Sequence, residues 1–193
     1  MKLARAFYEE PTVQVAQRLL GKYLVRVHPD GLMAGMILET EAYVGLDDKA
    51  SHASRGRTPR SAIMFGPAAF AYVYVIYGVH HCLNVVTESE GYPAAVLIRA
   101  VEPCEGLELM RVRRQVRDVR RLTNGPGRVC QAFGIDRGLN GSDLCGDILF
   151  IEDHGISPPD IVVTTRVGVD YAGPWKDMPW RFYIGRHPGV SKR

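Results

Sequence analysis

Residues 36–43 read Met-Ile-Leu-Glu-Thr-Glu-Ala-Tyr, a run that places two carboxylates inside an apolar strand. Side chains alternate between the two faces of a strand, so every odd-numbered residue from Ile37 to Tyr43 is predicted to share one face. That face carries Glu39 and Glu41. A carboxylate with apolar neighbours loses hydration, which makes it a candidate acid or base near neutral pH. The alternative is a pair of edge-strand glutamates that face water or an arginine.

Apolar periodicity also predicts the secondary structure on either side of this strand. We predict a helix over 11–20, with Thr12 as its N-cap, and a second helix from Glu105 onward. Residues 45–59 are polar and predict a loop with at most one helical turn. Residues 124–127 predict a turn into a short helix that continues to Gln131. The predicted strands are 23–27, 33–43, 68–77, 82–87, 94–101, 148–151, 161–169 and 181–184.

The composition is typical of a soluble globular protein: 193 residues, of which 46% are hydrophobic and 23% are charged. We expect residues 1–193 to form one domain. The net charge is only +3, so a polyanion would have to bind a local basic patch. One such patch lies between residues 111 and 121, where arginines surround Asp118. A solvated helix face is the alternative to a phosphate-binding role there.

The cysteine pattern argues against a disulfide framework and against a zinc site. The four cysteines form no Cys-x-x-Cys pair, and residues 1–11 contain no apolar leader segment. We therefore expect reduced thiols and a cytoplasmic location. His80, His81 and Cys82 are adjacent, but neighbours on a strand point to opposite faces and would not converge on one ion. No metal is expected.

Residues 62–79 contain no charged side chain, and 18 such residues approach the length of a membrane span. Gly66 and Pro67 interrupt the run, and the tyrosines after Phe70 alternate as in a strand. The run therefore predicts a turn followed by a buried strand, and no association with a membrane.

Residues 70–78, Phe-Ala-Tyr-Val-Tyr-Val-Ile-Tyr-Gly, predict a strand that ends in a tight reversal at Gly78. Tyr72 and Tyr74 share one face of this strand. Tyr77 has the opposite parity and stands at the reversal, where it has little core to fill. It is therefore a candidate to project outward.

An aromatic slot is predicted near Glu41, because Tyr74 can pair with Tyr43 and His52. Each tyrosine alone is more often a core residue. Together with an outward-facing aromatic at a hairpin tip, however, they describe a stacking pocket beside a carboxylate with a wedge next to it. Base-flipping chemistry requires these parts, since the extruded base must be held and its place in the duplex filled.

These residues resemble the alkyladenine (3-methyladenine) DNA glycosylase family in its short bacterial-type form. The matching segments follow the family order from about residue 7 to about residue 190. They are Glu39–Tyr43, Tyr72–Gly78, Cys82–Asn84, Ala95–Pro103, Gly125–Gly127, Cys130–Ala132, Arg166–Val169 and Arg181–Tyr183.

The resemblance implies that Glu41 is the general base that activates a water. Arg99 and the main-chain carbonyl of Val167 would help to hold that water. Glu39 is the rival base by parity, but it is expected to pair with an arginine. No lysine falls at a matching pocket position, so no Schiff base is expected.

The resemblance also implies how the substrate is held. Tyr43, His52 and Tyr74 would stack on and contact a flipped purine. Asn84 would screen purines through their exocyclic groups, and Tyr77 would enter the duplex from the minor groove.

The fold implied is a single compact mixed α+β domain, with a curved, mainly antiparallel sheet, surrounding helices and a protruding β-hairpin. The activity implied is that of a monofunctional glycosylase, which excises alkylated or deaminated purines from duplex DNA as a monomer without metal or organic cofactor. Two alternatives remain at this point: a non-catalytic nucleic-acid-binding module, and a carboxylate-dependent nucleoside hydrolase.

Overall fold

The apolar alternation in the sequence gives rise to eight strands in a computed structural model, which describes residues 1–191. The strands are β1 Tyr23–His28, β2 Gly31–Val44, β3 Ala71–Ile76, β4 His80–Val86, β5 Ala94–Glu105, β6 Leu149–Glu152, β7 Ile161–Thr164 and β8 Arg181–Ile184. They form one sheet in which β3, β4, β5, β2, β1 and β6 lie side by side in that order, and β8 pairs with both β2 and β7. Every pairing is antiparallel.

Short helices cover the sheet and complete the main core. The α-helices are α1 Arg5–Tyr8, α2 Thr12–Arg18, α3 Leu107–Arg114 and α4 Pro126–Phe133. The 3-10 segments are His52–Arg55, Ala62–Phe65, Val119–Arg121, Arg137–Leu139 and Asp170–Asp177. Apolar residues of α2 and α4 pack with β2, β4 and β5 in one buried cluster. The predicted mixed α+β fold is confirmed, although residues 192–193 of the predicted domain lie outside the described part.

Most predicted elements are present, but several differ from the prediction in their presence, caps or bounds. Helix α1 was missed, since four residues are too few to show a helical period. Thr12 is not the N-cap of α2; it lies inside the helix and its hydroxyl bonds Thr87 and Glu88. The predicted strand 161–169 is wrong beyond Thr164, because the chain there leaves the sheet and Arg166 turns inward to an ion pair.

The predicted alternation in β2 is correct from Glu39 to Tyr43 and wrong before it. The β2–β5 register shifts between Ile37 and Glu39, so Leu38 is an extra residue in the strand. As a result Ile37 packs in the main core, whereas Leu38 lies on the glutamate side, close to Gly189. A bulge of this kind adds one residue and thereby reverses the face of every residue before it.

The β3–β4 hairpin ends in a tight turn that presents Tyr77 to solvent. The N–H of Val79 donates to the carbonyl of Ile76 at 3.3 Å, and both central residues have positive φ, 51° at Tyr77 and 72° at Gly78. These are the features of a type I′ turn. Tyr77 is 90% exposed, so the predicted outward projection is confirmed. Positive φ is unfavourable for a bulky side chain, so the backbone conformation of Tyr77 reduces the stability of the fold.

The polar segment 45–59 contains one 3-10 turn, at His52–Arg55, as the sequence predicted. The uncharged segment 62–79 forms the turn and strand β3. Among residues 1–191 there is no helix with the length and apolar character needed to cross a bilayer.

Candidate active site

Glu41 lies near the C-terminal end of β2 with its side chain fully buried. Its Oε2 atom accepts hydrogen bonds from the Tyr43 hydroxyl at 2.8 Å and from Nη1 of Arg99 at 3.2 Å. Its Oε1 atom accepts from the backbone N–H of Val167 at 2.7 Å. A carboxylate has about four acceptor sites, so these three donors leave one site on Oε1.

Glu39 takes a structural position in the same cluster. Its Oε1 atom accepts from Nε of Arg99 at 3.0 Å and from Nε of Arg181 at 2.7 Å, and Oε2 accepts from the Ser191 N–H at 2.8 Å. The expectation that Glu39 pairs with an arginine is confirmed. Arg181 was not predicted as part of the site, because β8 pairs with β2 only in the folded sheet.

Arg99 connects the two carboxylates. The β2–β5 register shifts a second time between Glu39 and Thr40, which leaves Arg99 without a partner directly opposite. This irregularity lets one guanidinium reach both glutamates. Burial alone would lower the pKa of Arg99, but the charges of Glu41 and Glu39 offset this and raise it above its usual value. The guanidinium therefore stays charged and holds the carboxylates in place.

An ion pair beside the site fixes the segment that carries Val167. Arg166 donates to both carboxylate oxygens of Asp48, at 2.6 and 2.9 Å, and both side chains are fully buried. The same guanidinium donates to the carbonyls of Ala42 and Trp175, each at 3.0 Å. Through these bonds the backbone at Val167 is held against β2. The contact to Glu41 uses the N–H of Val167; the predicted role of its carbonyl stays a prediction.

A cavity of about 530 Å³ opens beside this cluster. The side chains predicted from the sequence to contact a base all line it, and so does Tyr77 at the hairpin tip. Glu41 lies behind the wall that Arg99, Tyr43 and Val167 form. The predicted residues along the cavity are Tyr43, His52, Tyr74, Tyr77, Asn84, Arg99 and Val167.

His52 stands edge to face with the tyrosine rings of this cavity, and the two tyrosine rings are tilted against each other by 36°. The His52 ring lies 4.6 Å from the Tyr74 ring at an interplanar angle of 82°, and the Tyr72 and Tyr74 rings are 5.2 Å apart. Nδ1 of His52 is 2.8 Å from the Tyr72 hydroxyl. Asn84 donates its amide to the carbonyl of Tyr72 at 3.2 Å, which fixes its orientation in the cavity wall.

Burial controls the protonation of the cavity side chains. Burial, followed by the charges of Arg60 and Arg55, lowers the pKa of His52 to about 4, so its ring is neutral at pH 7. Burial raises the pKa of Tyr43 and Tyr74 well above the usual value, and the Glu41 carboxylate adds to the shift at Tyr43. Both phenols are therefore neutral, and each can donate a hydrogen bond.

Tyr72 and Arg60 are among the cavity residues that the sequence-based prediction missed. Tyr72 has the same parity as Tyr74, so alternation along β3 was sufficient to find it. Arg60 has no such signal, because it lies in an irregular segment after the 3-10 turn. Its guanidinium stacks over the Tyr74 ring at 4.9 Å and donates to the Val75 carbonyl at 3.1 Å, at the mouth of the cavity.

Comparison of the whole chain with known proteins identifies its family. The family model described as Methylpurine-DNA glycosylase (MPG) matches residues 6–188. The chain belongs to the methylpurine-DNA glycosylase family. It is therefore a DNA glycosylase, a hydrolase of N-glycosidic bonds that takes part in DNA repair and acts on DNA.

Several relatives of this glycosylase match along nearly their whole length, and each bears the name "Putative 3-methyladenine DNA glycosylase". The protein from Methanocella arvoryzae is 53% identical, over 99% of this chain and 96% of its own. The protein from Alkaliphilus oremlandii is 46% identical, over all of both chains. The protein from an Anaeromyxobacter species is 52% identical, over all of this chain and 93% of its own.

Proposed function

We propose that this glycosylase flips damaged purines, alkylated or deaminated, out of duplex DNA and hydrolyses their N-glycosidic bond with a water that Glu41 activates. The observation that carries the proposal is the position of Glu41. Its three hydrogen-bond donors come from Arg99, Tyr43 and Val167, and all three of these residues line the aromatic cavity. Water at the remaining acceptor site of Oε1 would lie between this carboxylate and a base in the cavity.

The reaction that this geometry supports is a hydrolytic displacement at the sugar. The water oxygen forms a bond to C1′, the bond from C1′ to the purine nitrogen breaks, and its electron pair leaves with the base. Glu41 takes the proton of the attacking water, and its negative charge stabilises the oxocarbenium-like sugar. The product is an abasic site.

The side chains of the cavity are suited to bind purines that carry a positive charge and purines whose flat ring is neutral. A base alkylated at N3 or N7 is cationic, and neutral phenol rings such as those of Tyr43 and Tyr74 attract it through their faces. Such a base leaves without an acid. His52, which stands edge to face with Tyr74, contacts the base in this proposal, and the fixed amide of Asn84 screens exocyclic groups at the purine edge.

Tyr77 is the wedge in this proposal. It stands at the exposed tip of the hairpin and borders the same cavity, so it can occupy the space that the flipped nucleotide leaves in the duplex. No lysine lines the cavity within residues 1–191, which supports a monofunctional enzyme without a strand-cleaving step. Because its substrate is DNA, we place the enzyme in the cytoplasm, on the nucleoid. In this proposal it acts as a monomer.

The test compares two substitutions that make the same chemical change two residues apart. The substrate is a duplex oligonucleotide with one hypoxanthine or ethenoadenine, treated with alkali after incubation so that abasic sites become strand breaks. Glu41→Gln should keep lesion binding and lower the single-turnover excision rate by about 10²–10⁴-fold. Glu39→Gln disturbs the same charge cluster without removing the base, so it should retain most of the rate.

Three outcomes would contradict the proposal. If Glu41→Gln cut as fast as the parent, the assigned base would be wrong. Duplex binding by the parent without release of any base would indicate a binding module. Release from free nucleosides, with no need for a duplex, would indicate a nucleoside hydrolase.

A further inference from the structure

A second concave surface lies on the other side of the hairpin tip. We call it the α4 groove; it has a volume of about 460 Å³, and Ile76, Tyr77 and His80 of the hairpin face Arg114, Pro126 and Arg128 across it. Ile76, Tyr77 and Pro126 also line the aromatic cavity. Tyr77 therefore stands between two depressions, the aromatic cavity and the α4 groove. The proposed function assigns a role only to the first.

Close packing of α4 against the base of the hairpin creates the groove. Gly127 lies in the first turn of α4, and a Cβ atom added there would lie 3.2 Å from Cβ of His80. A larger residue would push the helix away from β4. The glycine therefore brings the first turn of α4, and with it Arg128, next to Tyr77.

The arginines around the groove differ from the two other arginines of α3. On α3, Arg111 pairs with Glu108, and Arg113 pairs with Asp30. Those that border the groove or adjoin it make no ion pair with a carboxylate within residues 1–191. They are Arg114 and Arg128, which line the groove, and Arg121, whose carbonyl accepts a hydrogen bond from Arg114.

Neutral oxygens hold two of these guanidinium groups in place. Arg114 donates from Nε to the Leu122 carbonyl at 2.9 Å and from Nη2 to the Arg121 carbonyl at 3.4 Å. Arg128 donates to Oδ1 of Asn124 at 2.7 Å. Burial and the charges of Arg128 and Arg121 lower the pKa of Arg114. Positive charge is thus concentrated and oriented here without a counter-charge, which is the electrostatic signature of a phosphate-binding surface.

We propose that the α4 groove binds the phosphate backbone of the DNA strand opposite the lesion. This inference rests on the proposed function, since it assumes that Tyr77 enters the minor groove. Two backbones flank that groove, which is about 6 Å wide. The strand with the lesion passes over the aromatic cavity that receives its base, so the intact strand passes on the other side of Tyr77, over Arg114 and Arg128.

The experiment measures binding of a lesion duplex as a function of salt. For the parent, the logarithm of the binding constant falls linearly with the logarithm of salt concentration, by about 0.9 for each neutralised phosphate. Arg128→Ala should make this slope less steep by about 1, and the double variant Arg114→Ala/Arg128→Ala by about 2. Arg18→Ala, on α2 and paired with Glu10, is the control and should leave the slope unchanged.

Neutral methylphosphonate linkages identify the strand. Placed opposite the lesion, they should weaken binding by the parent and have no further effect on the double variant. Placed in the lesion strand, they should weaken both proteins alike. Excision from a single-stranded oligonucleotide should be equal for parent and variants. Arg114 holds two backbone carbonyls, so its replacement could prevent the double variant from folding. In that case Arg128→Ala alone decides the question, because Arg128 is exposed.

The results separate this inference from the proposed function. If opposite-strand methylphosphonates weakened parent and variants equally, or if only lesion-strand linkages distinguished them, the groove assignment would be refuted. An unchanged salt slope for Arg128→Ala would refute it as well. A parent that showed the expected strand dependence but released no base would support the groove and contradict the proposed function.

Discussion

Asp48→Asn should lower the free energy of unfolding by about 3–5 kcal/mol, because it removes one partner of a fully buried ion pair. Four donors reach the Asp48 carboxylate. They are Nη1 and Nη2 of Arg166 and the N–H groups of Val44 and Ala50, at 2.6, 2.9, 3.2 and 3.0 Å. An asparagine at this position keeps one acceptor oxygen and turns an NH2 group toward two of these donors. The guanidinium of Arg166 is then buried without a counter-charge.

Chemical denaturation gives the free energy directly, and thermal melting gives a second measure. For a chain of this size a loss of 3–5 kcal/mol corresponds to a fall in Tm of about 6–20 °C. Asp147→Asn is the matched control. It makes the same chemical change in a pair with Lys2 at 2.7 Å, but the Asp147 side chain is 97% exposed, so the denaturation midpoint should not move.

The same substitution should also affect catalysis in the fraction that stays folded. Arg166 holds the backbone whose N–H bonds Glu41, so a loosened Arg166 lets Val167 move away from the base. A displacement of about 1 Å at a reacting group can cost about 100-fold in rate. We expect single-turnover excision by Asp48→Asn to fall by up to that factor well below its melting temperature. A loss of stability under about 1 kcal/mol, or unchanged excision in a clearly destabilised protein, would refute the reasoning.

Three further predictions follow from single positions. Tyr77→Asn should raise the free energy of unfolding by about 0.5–1 kcal/mol, because asparagine tolerates positive φ better, while excision from duplex DNA falls; a destabilised variant in urea denaturation would contradict this. His52 has its pKa lowered from 6.5 to about 4 in the folded protein, so unfolding takes up a proton between these values and stability falls as pH drops from about 6.5 to about 4. After allowance for solvent screening the loss is roughly 1–2 kcal/mol, and His52→Gln should flatten that part of the stability curve. Gly106→Ala places a Cβ 2.5 Å from the Leu32 carbonyl oxygen, whereas Gly78→Ala meets nothing within 4 Å at a similar positive φ. Thermal melting should therefore show Gly106→Ala to be clearly more destabilised, by about 1–3 kcal/mol more.

Part of the cavity was predicted from residue patterns, and part from the resemblance to a family. Alternation along β3 correctly placed Tyr72 and Tyr74 on one face, and the glycine after Tyr77 correctly marked the hairpin tip. The resemblance added Arg99, Asn84 and Val167, and the structure brings all three to the same cavity. Their chemical roles are proposals that rest on the experiments above.

Charge patterning was less informative than periodicity. The arginine-rich segment 111–121 allowed either a solvated face or a phosphate-binding role, and the structure shows that the arginines of α3 differ in their partners. Arg111 and Arg113 have carboxylate partners, whereas Arg114 borders the α4 groove without one. The partner of Arg111 is Glu108, three residues earlier, a spacing that places both side chains on one helix face. The partner of Arg113 is Asp30, 83 residues away in the chain, so the segment itself contains no sign of that pair.

The sequence by itself determined the features whose cause is local. These are the strands, the tight turn at Tyr77 and Gly78, and the common face of Glu41 and Tyr43, because backbone sterics and a two-residue period act between near neighbours. Tertiary structure alone decided the reversal of faces at Leu38, since a bulge depends on how β5 pairs with β2 and leaves no trace in composition. It also decided that Arg166 turns out of its predicted strand toward Asp48, because a buried charge is stable only where the folded chain supplies its partner.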